Sequence, residues 1–290
     1  MPVFNGGEYL SAAVESILEQ TYTNLKVIIS DNASTDDTRD ICEDFAKRDS
    51  RVTYVRKEVN VGVYRNYDAV FKGCSTSYFK WAASNDICRP TMLEKCIEIL
   101  DARPDAVLAF PKTLLLDIDG NTNSYEKNLD RQESSPVQRF QMFLQCVGLN
   151  NAMSGVFRSD ALRRTALNQV FYGSDISMLA ELALYGKFVE IPEELFVRRM
   201  TDTSATAVQS IIQRRKFFAY EPKRPDHMHS WKFNRYLTLG VMRAPITLRD
   251  KTVLLAHIGR RMIQNRDKLA SESAAYVRHR FSKAPSTKTH

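Results

Sequence analysis

The sequence predicts an α/β fold with a mainly parallel sheet, followed by a basic helical extension. Three observations predict it. Short apolar runs and amphipathic segments alternate through residues 1–200, the pattern of strands joined by crossover helices. Leu25-Lys26-Val27-Ile28-Ile29 is nearly continuously apolar, as a strand covered on both faces by helices has to be. Charge divides the chain as well. Residues 1–200 carry 23 Lys and Arg against 28 Asp and Glu, whereas residues 201–290 carry 18 against 6. The net charge of +7 therefore belongs to the last part of the chain.

The elements follow in order. Leu10, Val14, Ile17 and Leu18 recur at helical spacing and predict a helix over 9–20. After the 25–29 strand, Ser34-Thr35-Asp36-Asp37 reads as a helix start, with Ile41, Phe45 and Ala46 on the inner face. Val52–Val55 is a strand, Val63, Tyr67, Val70 and Phe71 mark a helix, and Tyr78–Ala82 is a strand. Pro90–Glu94 opens a helix with Leu93, Ile97 and Leu100 inward, and Ala106–Phe110 is again a strand. Asp119-Gly120 marks a hairpin turn. Two amphipathic helices follow at 137–148 and 175–185, the second stopped by Gly186, and Leu195–Val197 is a last strand. Residues 201–281 read as a basic helical region and 282–290 as a disordered Ser/Lys/Pro/Thr tail.

Composition excludes several classes. With 43% hydrophobic and 26% charged residues, the chain can bury a core and is not disordered as a whole. No apolar run reaches the ~20 residues of a membrane span. The N-terminus lacks the basic and apolar regions of a secretory signal. Five cysteines without a Cys-x-x-Cys pair point to reduced thiols and a cytoplasmic protein rather than a disulfide or zinc framework. All five histidines lie beyond residue 200, so chemistry in the α/β part must use carboxylates. In parallel sheets ligands bind beyond the carboxyl ends of the strands, here residues 30–36, 58–66 and 83–90.

Those strand ends carry a recognisable set. Pro2-Val3-Phe4-Asn5-Gly6 and Ser16–Tyr22 come first, then Val27–Asp36, Asn60-Val61-Gly62 with Arg65-Asn66, Trp81–Pro90 with Asp86, and Tyr172–Gly186. In that order they resemble the family 2 glycosyltransferases of the GT-A fold. The resemblance covers roughly residues 1–200. It implies a three-layer GT-A-like sandwich that binds nucleotide sugar and acceptor. Two departures stand out. The strand that precedes Pro-x-x-Asn in the family is missing or truncated before Pro2, and the acidic metal motif reads Ser84-Asn85-Asp86, with one carboxylate.

The resemblance implies roles residue by residue. Asp86 would be the metal ligand, for Mn²⁺ or Mg²⁺ carried by the donor's diphosphate, with Asn85 a neutral helper; the alternative is a turn-capping role. Asp31 would accept a hydrogen bond from the donor base, or else close an Asx turn with Ser34. Pro2 and Asn5 would floor the nucleotide site. Asn60, Gly62, Arg65 and Asn66 would form its polar helix entry, Gly62 allowing a tight turn and Arg65 meeting base or phosphate. Asp175, at a helix start, would be the general base that deprotonates the acceptor hydroxyl; the alternative is a helix-stabilising charge. Arg198 and Arg199 would meet the diphosphate.

The implied reaction is inverting transfer from a nucleotide-diphosphate sugar to a saccharide or lipid-linked acceptor in polysaccharide assembly. The basic extension would suit peripheral contact with an anionic membrane at its inner face. A second reading keeps the fold and the nucleotide sugar but loses the reaction. A third, nucleic-acid binding through the basic part, is disfavoured because its cations lack interleaved aromatic platforms.

Overall fold

The computed structural model describes residues 1–201 and 228–282. Residues 283–290 of the expected tail and residues 202–227 of the basic region lie outside the described residues; Ser282, expected in the tail, ends a helix.

The first sheet is parallel and ordered β1 (Pro2–Val3), β2 (Val27–Asp31), β3 (Val52–Arg56). Its crossovers are α1 (Gly7–Leu18) and α2 (Thr38–Arg48). The strand expected to be missing or truncated is two residues long, β1 itself. Pro2 and Val3 pair with Ser30 and Asp31, and the Met1 amino group donates to Ile28 O at 2.6 Å. The helix start expected at Ser34 lies later, at Thr38. Ala33 has a φ of 64°, and Ser34 N donates to Asp31 Oδ1 at 2.8 Å, so this stretch is spent on a turn.

Next come α3 (Val63–Lys72), β4 (Tyr78–Phe79), β5 (Ile87–Cys88), α4 (Met92–Ala102), β6 (Ala106–Leu116) and β7 (Thr122–Ser124). The chain continues through α5 (Pro136–Cys146), a 3₁₀ turn over Asn151–Ser154, β8 (Val156–Arg158), α6 (Ser159–Arg163), α7 (Ser174–Leu182) and β9 (Lys187–Arg199). The second sheet runs β4-β8-β6-β9-β5, with β7 on β6. Within it only β6 and β9 pair in parallel; its other ladders are antiparallel. The parallel character predicted from the sequence thus rests on the first sheet and the β6–β9 pair. β4 is Tyr78–Phe79, shorter than the expected strand to Ala82; beyond it Trp81 is buried 5.3 Å from the Phe157 ring and donates to Tyr67 O.

The second sheet has helices on both faces. Ala106, Ala109, Val189 and Ile191 pack with α1, α2 and α4, whereas Leu108, Phe110, Phe157 and Phe188 pack with α3, α5 and α7. This is the three-layer arrangement: Leu108, Ala109 and Phe110 alternate between the faces, and the register shift between Ala106 and Leu108 puts Ala106 on the same face as Ala109. Gly186 does not stop α7, which ends at Leu182. A Cβ there would lie 2.4 Å from Val107 Cγ1 and 2.8 Å from Asp105 O, so the glycine lets β9 close on β6.

The described part of the basic region, from residue 228, is helical, with α8 (His229–Arg243), α9 (Leu248–Gln264) and α10 (Arg266–Ser282). It is part of the main core. Leu237, Val241, Leu254 and Ile258 are buried with α5 and α7. Tyr236 stacks on Phe171 at 5.2 Å, and Arg243 forks onto buried Glu181 of α7 at 2.7 and 3.1 Å.

Candidate active site

The three parallel strands end side by side, and polar side chains tie their exits together. Asn5, held at a φ of 49°, accepts Thr35 N at 2.9 Å, and Ser34 Oγ accepts Asn5 N at 2.9 Å. Asn32 bridges to the next exit: its Nδ2 donates to Asn60 Oδ1 and its Oδ1 accepts Val61 N, both at 2.8 Å. Asn60 Oδ1 also accepts Gly62 N. Gly62 has a φ of 88° and a ψ of 157°, a conformation open in practice to glycine alone, and it starts α3.

Several expected nucleotide contacts are already engaged. Asn66 is buried; it donates to Ser30 O and accepts Ser30 Oγ, so it braces α3 on β2 instead of facing a ligand. Asp31 is fully buried, with Oδ1 on Ser34 N and Oδ2 on Tyr54 Oη (2.9 Å) and Arg56 Nη1 (2.7 Å). The Asx-turn role is the one its geometry satisfies, and the half-exposed Arg56 guanidinium carries the pair outward. Pro2 is buried within β1. Arg65 is exposed and Asn85 half-buried, and neither side chain has a hydrogen bond among the described residues.

Asp86 lies on the segment between β4 and β5, where Oδ1 accepts Arg199 N at 3.0 Å. Burial raises its carboxyl to about 6, against the opposing pull of Arg198, Lys80 and Arg199. Asp175 opens α7, and its Oδ2 accepts Asn150 Nδ2 at 2.7 Å. Burial raises this carboxyl too, while the Asn150 hydrogen bond and Arg198 favour its ionised form. The Tyr67 phenol, pushed up to about 12 by burial, feels Asp86, Arg198 and Asp175. Arg198 is fixed by Leu149 O at 2.7 Å and Asn151 Oδ1 at 2.6 Å. Arg199 stands over the Tyr9 ring at 5.0 Å.

Residues 1–171, more than half of the chain, match the profile of glycosyl transferase family 2. The chain belongs to this family. It is 34% identical over 94 residues to the glycosyltransferase GlyG of Streptococcus pneumoniae, covering 32% of this chain and 31% of that protein. It is 26% identical over 216 residues to an uncharacterized glycosyltransferase of Haemophilus influenzae, covering 71% of this chain and 65% of that one. The matches thus span about a third to two thirds of these relatives' own length. In fold the chain is similar to residues 1–349 of Staphylococcus aureus TarS, solved with UDP. The TM-score is 0.65 at 13% identity, over 91% of this chain and 70% of that one. It is also similar to the mannosyltransferase PcManGT of Pyrobaculum calidifontis, solved with GDP-Man and Mn²⁺. There the TM-score is 0.52 at 14% identity, over 98% and 86%.

For this family 2 member the donor set decides how a cation could be held. Among the described residues no group of three His, Cys, Asp or Glu side chains could hold a metal. Asp86 supplies one carboxylate whose second oxygen has no hydrogen bond among the described residues. That fits a hard cation bringing most of its shell as phosphate oxygens and water, and does not fit a preformed protein cage.

The sequence reading passed over Tyr54, Arg56, Tyr67, Lys80 and the Asn150-Asn151 pair. Lys80 donates to Ser154 O and lies 5.4 Å from the Phe196 ring. One signal was legible: two adjacent asparagines between helix and strand, a residue type that enters the left-handed region readily, as Asn150 does at a φ of 56°. Tyr67 counted only as an apolar helix position, and nothing along the chain marks its nearness to two acids.

Proposed function

We propose that this chain transfers a sugar from a nucleotide-diphosphate donor to a hydroxyl of a saccharide or lipid-linked acceptor. The reaction is a single displacement with inversion at the anomeric carbon. One observation carries the reading: at the end of β9, Arg199 N donates to Asp86, and its neighbour Arg198 donates to Asn151, next to the Asn150 that holds Asp175. Two carboxylates tied to one pair of adjacent arginines suit a reaction that removes a proton at one end and releases a diphosphate at the other.

Asp175 takes the proton of the acceptor hydroxyl as that oxygen attacks the anomeric carbon. The bond from the anomeric carbon to the diphosphate oxygen breaks, and its electron pair leaves with the nucleotide diphosphate. Arg198, Arg199 and Lys80 stabilise the leaving charge. A divalent cation bound with the diphosphate, Mn²⁺ or Mg²⁺, would be held by Asp86, with Asn85 beside it, and adds Lewis-acid stabilisation there. Asn5, Asn60, Gly62 and Arg65 line the nucleotide side, on a frame held by Pro2, Asp31 and Asn66. TarS, solved with UDP and with UDP-GlcNAc, and PcManGT, solved with GDP-Man, support a nucleotide-sugar donor through the shared fold.

The test is a thermal-shift panel of UDP, GDP, CDP and dTDP with Mn²⁺ or Mg²⁺, followed by nucleotide release from the matching sugar donors. Asp175→Asn should abolish transfer and keep nucleotide binding. Turnover equal to wild type in that variant would remove Asp175 from the role. A second reading, nucleotide-sugar binding without transfer, draws on the single carboxylate of Ser84-Asn85-Asp86. It is the outcome if the wild type binds nucleotide and releases none from any donor.

A further inference from the structure

The α/β part and the proposed chemistry leave the outer side of the C-terminal helices unused. The inner side of α9 buries Leu254 and Ile258 against the core. Its opposite side is exposed and carries Arg249, Val253, Ala256, Arg260 and Ile263, spaced at successive helical turns. That face is unusual for a solvated helix. Val253 is 44% and Ile263 64% exposed, and Leu248 at the helix start is 82% exposed. Met242, at the end of α8, is 53% exposed. Neither Arg249 nor Arg260 is in an ion pair among the described residues. Residues 228–279 hold ten Lys and Arg against three Asp and Glu. Two of those three acids are used internally, Asp250 at the Thr247 helix cap and Glu272 on Ser230.

We infer that the outer face of α9, with Met242 and Leu248 at its edge, docks on an anionic lipid surface. Charge chooses the occupant. Guanidinium groups alternating with exposed branched apolar side chains meet phosphate head groups and the acyl boundary together. An aqueous environment rewards only the arginines. No helix among the described residues is long and apolar enough to cross a membrane, so this contact lies in the plane of the interface. The inference stands on exposure and charge, and it survives or fails independently of the proposed transfer reaction.

The experiment is co-sedimentation of the full chain with phosphatidylcholine vesicles and with phosphatidylcholine–phosphatidylglycerol vesicles. Three proteins are compared: wild type, Arg249→Gln/Arg260→Gln and Val253→Ser/Ile263→Ser. All four positions are exposed, so the variants should keep the wild-type melting temperature. Wild type should bind only the anionic vesicles, and each double variant should bind at least about tenfold more weakly. The inference is overturned if wild type ignores anionic vesicles, or if both variants bind as wild type does. It is also overturned if sedimentation velocity shows a self-associated wild type that Val253→Ser/Ile263→Ser dissociates, because the face then belongs to a second copy. Tighter binding to a mixed-sequence oligonucleotide than to anionic vesicles at physiological salt overturns it too.

Discussion

Asn150 Nδ2 lies 2.7 Å from Asp175 Oδ2, and it reaches there from a left-handed backbone, φ 56° and ψ 40°. The next residue, Asn151, accepts Arg198 at 2.6 Å. Two adjacent side chains thus set the acid at the start of α7 and the cation at the end of β9. Asn150→Gly keeps the backbone conformation and removes the donor, which separates the hydrogen bond from strain. Losing a hydrogen bond to the ionised form should raise the Asp175 pKa further. Under the proposed reaction, the acid limb of kcat/KM should move to higher pH while nucleotide affinity stays unchanged. A profile that overlays wild type would show that Asn150 only closes a loop.

The pH dependence of the wild type follows from the same groups. A general base works ionised, and burial raises Asp175 above the ordinary carboxylate range. Asp86 titrates at about 6. The Asp175 limb of transfer should therefore lie above the ~4 of a solvated carboxylate. Cation-dependent nucleotide binding should weaken as pH drops through about 6, through Asp86. Titration calorimetry with nucleotide diphosphate and Mn²⁺ at several pH values measures the second effect apart from the first.

Asp86 should also cost stability. Its folded-state pKa, about 6, exceeds the ordinary value of 3.8, so between those pH values the folded chain holds the proton more tightly. Stability from this group is then greatest below pH ~4 and declines as pH rises through 6. Asp86→Asn keeps an acceptor for Arg199 N and removes the charge. At pH 7 it should gain up to roughly 2 to 3 kcal/mol, read as a higher melting temperature whose advantage vanishes in acid. An unchanged melting temperature at both pH values would mean that this carboxylate is better solvated than its surroundings suggest.

The tie between α7 and α8 should respond asymmetrically. Glu181 is 2% exposed, whereas the Arg243 side chain is 42% exposed. Arg243→Ala leaves a buried carboxylate without its cation, at a cost of about 3 kcal/mol. Glu181→Gln leaves a cation that water can reach and keeps an acceptor for Ala166 N, so its cost should be nearer 1 kcal/mol. Urea unfolding of the two variants gives both values, and equal losses would refute the asymmetry.

The sequence by itself determined the alternation of strands and helices, the family, and the basic helical region, because each is written in local periodicity, short motifs and composition. It also determined which strand exits carry polar residues. Tertiary structure decided which of those residues are free to meet a ligand. Asn66 and Asp31 sit in the family's motif, yet burial beside Ser30, Tyr54 and Arg56 spends their hydrogen bonds inside the protein. Ser34 matches a helix start, yet the left-handed Ala33 beside it makes a turn. The convergence of Asp86, Tyr67, Asp175 and Arg198 was invisible along the chain, because electrostatic coupling depends on distance in space and on burial, and neither is a property of sequence order.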